Sequence, residues 1–243
     1  MIEVDRYTKR YGDMTAVREL SFRVAPGEVV GLVGPNGAGK TTTLRALAGV
    51  LRPTEGRIRI AGFDIVDEPV EAKRRLAFIP DEPQLFEYLT VEEHLRFIAR
   101  LYAVRDAAAR IPPLLEELEL TEKRAALSSE LSRGMKQKLA IGCGLLHTPD
   151  VLLLDEPLTG LDPGAMRRMK RTIVARAEAG AAVLLSSHLL TLVEEVCTRI
   201  LVIARGELVA FGSLAELTAT NPALAGLGLE EIFLALTEDP ATR

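Results

Sequence analysis

Residues 34 to 42 read Gly34-Pro35-Asn36-Gly37-Ala38-Gly39-Lys40-Thr41-Thr42, the spacing G-x-x-x-x-G-K-T. Glycines at these intervals let the backbone curl until successive N–H groups face one anion, and a helix opening there adds its positive end. Lys40 brings a mobile full charge for outer phosphates, and the Thr41 hydroxyl can ligate Mg²⁺. A glycine-rich turn has the same composition. The flanks favour the triphosphate cradle: Val29 to Val33 is a β-branched apolar run, and Leu44, Leu47 and Ala48 follow at helical spacing. On its own the motif leaves kinase, GTPase, helicase and transporter ATPase open.

Ligands of an open parallel sheet sit beyond the carboxyl ends of its strands, so the residues after each apolar run are the next candidates. Asp155 and Glu156 follow Val151-Leu152-Leu153-Leu154. The first acid can hold the hydrated Mg²⁺ that Thr41 also contacts, and the second can orient and deprotonate an attacking water. The alternative is a pair of solvated loop acids. His188 ends another core run at Ser186-Ser187, where it can meet a γ-phosphate or the attacking water; His94 and His147 read as structural. Leu131-Ser132-Arg133-Gly134-Met135 opens a helix whose free amides and Ser132 hydroxyl form either a second anion site or a plain cap. Nothing in the sequence places it near Lys40.

The elements that must position these groups follow from periodicity. Residues 2 to 25 alternate loosely, broken at Tyr11-Gly12-Asp13, and Arg57 to Gly62 alternates likewise, which predicts an antiparallel layer. Leu76 to Ile79 is a short strand stopped by Pro80, followed by the polar loop Asp81 to Glu87 with two aromatics nearby. The period then becomes helical. Thr90 with Glu93 predicts a cap, Val91, Leu95, Ile98, Leu101 and Tyr102 fall on one face, a second helix starts at Pro112-Pro113, and a third runs from Met135 to Leu146. Residues 82 to 148 are thus a helical insert. Apolar runs at 151–154, 182–185 and 199–203 alternate with helices near 163–178 and 189–197, the mark of a buried parallel sheet; 207–211 reads as an edge strand, and 213–219 and 229–236 as helices.

The 243 residues, 48% hydrophobic and 26% charged, suit one large α/β domain. A net charge of -4 carries no nucleic-acid footprint, and no stretch approaches the 18 or so apolar residues of a membrane span. The N-terminus lacks the order of a secretory signal, so a cytosolic protein is expected, with Cys143 and Cys197 as reduced thiols in or near the core.

Taken in order, these motifs resemble the ATPase subunit of ATP-binding cassette (ABC) transporters over nearly the whole chain. The Walker A loop is Gly34 to Thr42, the family signature is Leu131 to Met135, Walker B is Val151 to Asp155 with Glu156, the D-loop is Thr159-Gly160-Leu161-Asp162, and the switch histidine is His188. The resemblance implies a P-loop NTPase core with a parallel sheet, an N-terminal antiparallel β layer and a helical subdomain insert. The whole of 1–243 is then a single cassette, with the insert at about 82–148 and a helical tail at about 213–243. It implies that Tyr11 stacks on adenine, and that ATP and Mg²⁺ are bound. It further implies a head-to-tail dimer in which Ser132 and Gly134 of one subunit complete the ATP site of the other, Asp162 of the D-loop as a nucleotide-binding residue, and a membrane partner gripped near residues 81–88. Two departures stand out: Arg133 and Met135 replace the usual glycine and glutamine of the signature. At the loop after Pro80, Asp81 stands where glutamine is usual, with Gln84 three residues on. Asp81 is a further candidate for Mg²⁺, although its charge lies close to phosphates.

The expected function is a Mg²⁺-dependent ATPase subunit, similar to bacterial exporter ATPases of the drug and antibiotic type. It would pair with a second copy or a paralogue and lie on the inner face of the cell membrane through a separate permease. The alternative is an ABC-type ATPase serving a soluble assembly or repair complex, against which stands the lack of a coiled-coil insert, zinc-binding cysteine cluster or second cassette.

Overall fold

Alternating apolar residues pair the first two strands, β1 (Ile2–Tyr11) and β2 (Met14–Val24), into an antiparallel hairpin. The computed structural model describes residues 1–221, 224 and 226–237. β3 (Val29–Val33) is buried at all five positions and leads through the glycine loop into α1 (Lys40–Leu47). β4 (Glu55–Ile60) returns antiparallel to β1, with Ile60 opposite Ile2 and Ile58 opposite Val4, and the short β5 (Phe63–Asp64) completes a four-stranded layer. After α2 (Pro69–Arg74) and β6 (Leu76–Ile79) come three helices, α3 (Val91–Leu101), α4 (Ala107–Glu117) and α5 (Arg133–Leu145). The core then resumes with β7 (Val151–Asp155), α6 (Pro163–Glu178), β8 (Ala182–Ser186), α7 (Leu190–Val196), β9 (Arg199–Ala204) and β10 (Glu207–Gly212). It ends with α8 (Leu214–Thr220) and α9 (Leu229–Thr237).

The second sheet has the order β10-β9-β3-β8-β7-β6, parallel throughout except for the antiparallel edge strand β10. Its strands serve two cores at once because successive side chains alternate between faces. Val29, Val33, Leu152 and Leu154 pack under the helices, while Val30, Leu32, Val151 and Leu153 pack against α1 and the antiparallel layer. Strands buried on both faces read as unbroken apolar runs, and the α/β architecture expected from the sequence is the one observed.

Two local expectations change. α4 begins at Ala107 and carries Pro112 and Pro113 inside it. The prolines remove two helical N–H donors, and the helix tolerates this because Ala108 and Ala109, whose carbonyls lose their partners, are exposed to water. On α3 the cap is as expected, Thr90 and Glu93 forming a reciprocal capping box, but Leu101 is exposed while Val91 and Leu95 are buried. The tail expected over 213–243 is helical at α8 and α9, and 222, 223, 225 and 238–243 lie outside the described residues. No described helix is long and apolar enough to cross a membrane.

Candidate functional site

The loop after β3 is shaped by close approaches. A Cβ at Gly34 would meet the Ile203 carbonyl oxygen at 2.3 Å. Gly39 sits at φ 104°, and a Cβ there would also lie 2.9 Å from the Ala16 carbonyl oxygen, so a side chain would be both strained and crowded. As the N-cap of α1, Gly39 offers no side-chain hydrogen bond. The first-turn amides of α1 and its positive dipole end are therefore left for an anion. Lys40 Nζ donates to the carbonyl oxygens of Gly34 at 2.7 Å and Pro35 at 3.1 Å. Burial lowers the Lys40 pKa from its ordinary value, and the charges of Glu156 and Asp155 pull it back up.

β7 delivers the acids. Asp155 is buried at the strand end, where Ser186 Oγ on neighbouring β8 donates to its Oδ1 at 2.5 Å. The next residue, Glu156, has a left-handed φ of 50°, a conformation that a non-glycine residue adopts at a cost of about 1–3 kcal/mol. This turn directs its carboxylate toward the end of β8. Ser187 Oγ donates to Glu156 Oε2 at 3.3 Å, and His188 Nδ1 lies 2.8 Å from the same oxygen.

A cleft of about 760 Å³ gathers Tyr11, Asn36, Gly37, Gly39, Lys40, Thr41, Thr42, Asp81, Asp155, Glu156 and His188. That volume lies within the range of ligand sites, roughly 300–1,000 Å³. Tyr11 is 42% exposed at the rim with Lys9 Nζ 5.1 Å from its ring centre, whereas Tyr7 is the strand aromatic in the core. Gly34, Pro35 and Ala38 stand behind the loop and hold its shape, the Ala38 amide donating to the Pro35 carbonyl at 3.1 Å. The donor set fits a nucleoside triphosphate: open helix amides, one lysine and a rim aromatic. Thr41 and Asp155 share the cleft, while no group of three or more His, Cys, Asp or Glu among the described residues could hold a metal ion by itself.

Ser132, Gly134 and Asp162 do not line this cleft. Within the chain Ser132 Oγ accepts from the Met135 amide at 3.3 Å to cap α5. Asp162 Oδ1 accepts from the Ala165 amide at 2.9 Å to cap α6, and that amide, with the Gly164 amide, holds the Asp162 carboxyl below its usual range. Of the two loop candidates, Asp81 lines the cleft, and Gln84 lines a separate hollow with His94 and Tyr102. Thr159, the first residue of the 159–162 loop, also lines the cleft, as do Met14 and Ala16, which no feature of the sequence marks. Met14 and Ala16 reach the cleft only through the way β2 passes the loop.

His94 accepts from the Phe86 amide at 3.0 Å in a buried position, and His147 stacks on Tyr102 at 3.8 Å with its Nε2 3.2 Å from the Leu76 carbonyl. Both serve packing. Cys143 and Cys197 are free, and burial pushes both thiols up to about 12.

The profile of the family described as ABC transporter matches residues 17–159. The chain is 42% identical over 234 residues to the Nod factor export ATP-binding protein I of Paraburkholderia xenovorans (strain LB400), a match covering 96% of this chain and 76% of the relative. It is 35% identical over 241 residues to the linearmycin resistance ATP-binding protein LnrL of Bacillus subtilis (strain 168), covering 96% and 78%. Among solved structures, one described as the ATP binding subunit of an ABC transporter superposes with a TM-score of 0.94 at 36% identity, covering 98% of this chain and all of that one.

Proposed function

The chain belongs to the ABC transporter family and hydrolyses ATP in coupling to transport, and from that premise we propose that it drives export through a separate membrane permease. Two subunits, identical or paralogous, close head to tail on ATP. One observation carries this reading. Lys40, Asp155, Glu156 and His188 converge on one cleft, while Ser132, Gly134 and Asp162 lie outside it, the separation that a site shared between two subunits requires. The named relatives, one an export protein and one a resistance protein, support the direction.

In this mechanism the α1 amides and Lys40 hold the phosphates, Tyr11 stacks on the base, and the Thr41 hydroxyl and Asp155 share Mg²⁺. The metal, when bound, neutralises charge that develops on the transferred phosphoryl group. Glu156 accepts a proton from the attacking water, and His188, 2.8 Å away, orients that carboxylate and reaches toward the γ-phosphate side. Ser132 and Gly134 would close over the same phosphates from the second chain, with Asp162 beside them. The whole of 1–243 acts as one cassette, its insert at about 82–148 passing nucleotide closure to the permease. The contact falls near residues 81–88, where Phe86 is 57% and Tyr88 88% exposed. The protein would then lie on the inner face of the cell membrane through that partner.

Affinity purification of the tagged full chain from detergent-solubilised membranes tests the transport assignment. Recovery of an integral membrane protein of six or so apolar spans is expected. Recovery of soluble partners alone, with none of the chain in the membrane fraction, would overturn it.

A further inference from the structure

Asp81 and Arg133, two of the positions that depart from the family's usual residues, lie 52 residues apart and touch. Arg133 Nη2 donates to Asp81 Oδ1 at 3.3 Å. Asp81 sits on the loop after β6 and lines the cleft with Lys40 and Asp155; Arg133 is the first residue of α5, next to Ser132. The same arginine packs along the loop that follows β7. A Cβ at Gly160 would lie 3.3 Å from Arg133 Cγ and Cδ, and a Cβ at Gly134 would come within 2.5 Å of the Gly160 carbonyl oxygen. The cleft loop, the start of α5 and the 159–162 loop therefore meet at one side chain within one subunit.

Electrostatics gives the contact a role. A carboxylate facing a triphosphate weakens binding unless a cation stands beside it, and a guanidinium keeps its charge at every working pH. The pair is half-exposed, with side-chain accessibilities of 60% and 41%, so its contribution to stability is small. What remains is placement and neutralisation. We infer that Arg133 is a positioning residue for the ATPase reaction: it neutralises Asp81 and holds its carboxylate at the cleft edge, tying the loop after β6 to the start of α5 inside one subunit. This rests on the ATPase reading of the cleft. The carboxylate of Asp81 can stand beside phosphates because Arg133 is in contact with it.

The test compares full-length wild type with Arg133→Ala, Arg133→Lys, Asp81→Asn and the double variant Arg133→Ala/Asp81→Asn in steady-state ATPase assays over a range of MgATP. Arg133→Ala should raise KM about fivefold with kcat changed by less than about twofold, because an uncompensated carboxylate now faces the phosphates. Arg133→Lys should recover most of the loss. The double variant should return KM to within about twofold of wild type, since no bare charge remains. An unchanged KM in Arg133→Ala, or a double variant as impaired as that single, would overturn the pairing. The second result would mean that Arg133 attracts ATP directly. Should Arg133→Ala not fold, Asp81→Asn and the double variant decide: both should keep KM within about twofold of wild type, and a double variant raised well above Asp81→Asn would mean that Arg133 acts on ATP and not through Asp81. Equilibrium binding of a fluorescent ATP analogue ranks the same proteins without turnover. A chain that bound ATP and did not hydrolyse it would contradict the proposed function and still decide the pair.

Discussion

Two helix starts in this molecule are built to opposite rules. α1 opens at Gly39, which has no side chain to cap it, so its first amides and dipole face the cleft. α5 opens at Ser132, whose own hydroxyl accepts from the Met135 amide at 3.3 Å, so one of its first-turn amides already has a partner inside the chain. The contrast separates a start left open for an anion from one that is partly capped. In the proposed dimer the second start would meet the other subunit's nucleotide with the Ser132 hydroxyl and the amides that its cap leaves over.

The largest expected effect comes from freezing the state in which both starts meet one nucleotide. Glu156→Gln should lower phosphate release more than about 100-fold while preserving ATP binding, because it removes the base and keeps the shape. Sedimentation velocity with saturating ATP should then show a stable dimer. A monomer at every ATP concentration would mean that the two helix starts never share a ligand. Lys40→Ala attacks the uncapped start alone: loss of a charge-assisted hydrogen bond should weaken ATP binding about 10- to 100-fold in a titration, with the melting temperature little changed. Ser132→Ala attacks the capped start. It should cost about 1 kcal/mol of stability in urea unfolding. It should leave the ATP affinity of the isolated subunit within about twofold, yet lower turnover about tenfold at protein concentrations where dimers form. Equal loss of subunit affinity in Lys40→Ala and Ser132→Ala would erase the distinction between the two.

The cradle was legible in the sequence because everything that makes it work is local: strand, glycines, lysine and helix lie within residues 29 to 48. Asp155, Glu156 and His188 were legible for a related reason, since runs buried on both faces mark central strands and their ends mark the site. The left-handed Glu156 and its contact with His188 were not, because nothing in the residue types encodes a backbone turn imposed by β8. The start of α4 was misplaced because two prolines usually open a helix, and here exposed carbonyls let them lie inside it. The short β5 and α2 carry too few residues to show a period. Arg133 and Asp81 were each visible as departures, but their contact joins segments 52 residues apart, a relation that only the fold supplies.

The smallest effect concerns what holds the insert that carries the capped start. Glu92, in the first turn of α3, pairs with Arg96 one turn on and with Arg124 in the segment leading to α5. Arg124 chiefly, then Arg96, lowers its pKa from 4.5 to about 2. A carboxyl whose folded pKa is depressed contributes stability above its unfolded value and loses it as pH falls toward the folded one, so the window here runs from about 4.5 down to about 2. Lys40 has the opposite sign: burial lowers its pKa, so its ammonium is disfavoured by folding and titrates below its ordinary range. The cradle thus sacrifices stability for a ligand charge, whereas the insert gains stability from a charge of its own. Melting temperatures taken from pH 5 to 2.5 should fall less steeply for Glu92→Gln than for wild type. The gap between the two should narrow toward the acid end, because the unfolded carboxyl is protonated there while the folded one only approaches its own pKa. Parallel slopes across that window would mean that the Glu92 cluster does not hold the insert, and that packing of α3 and α5 alone positions the start of the signature helix.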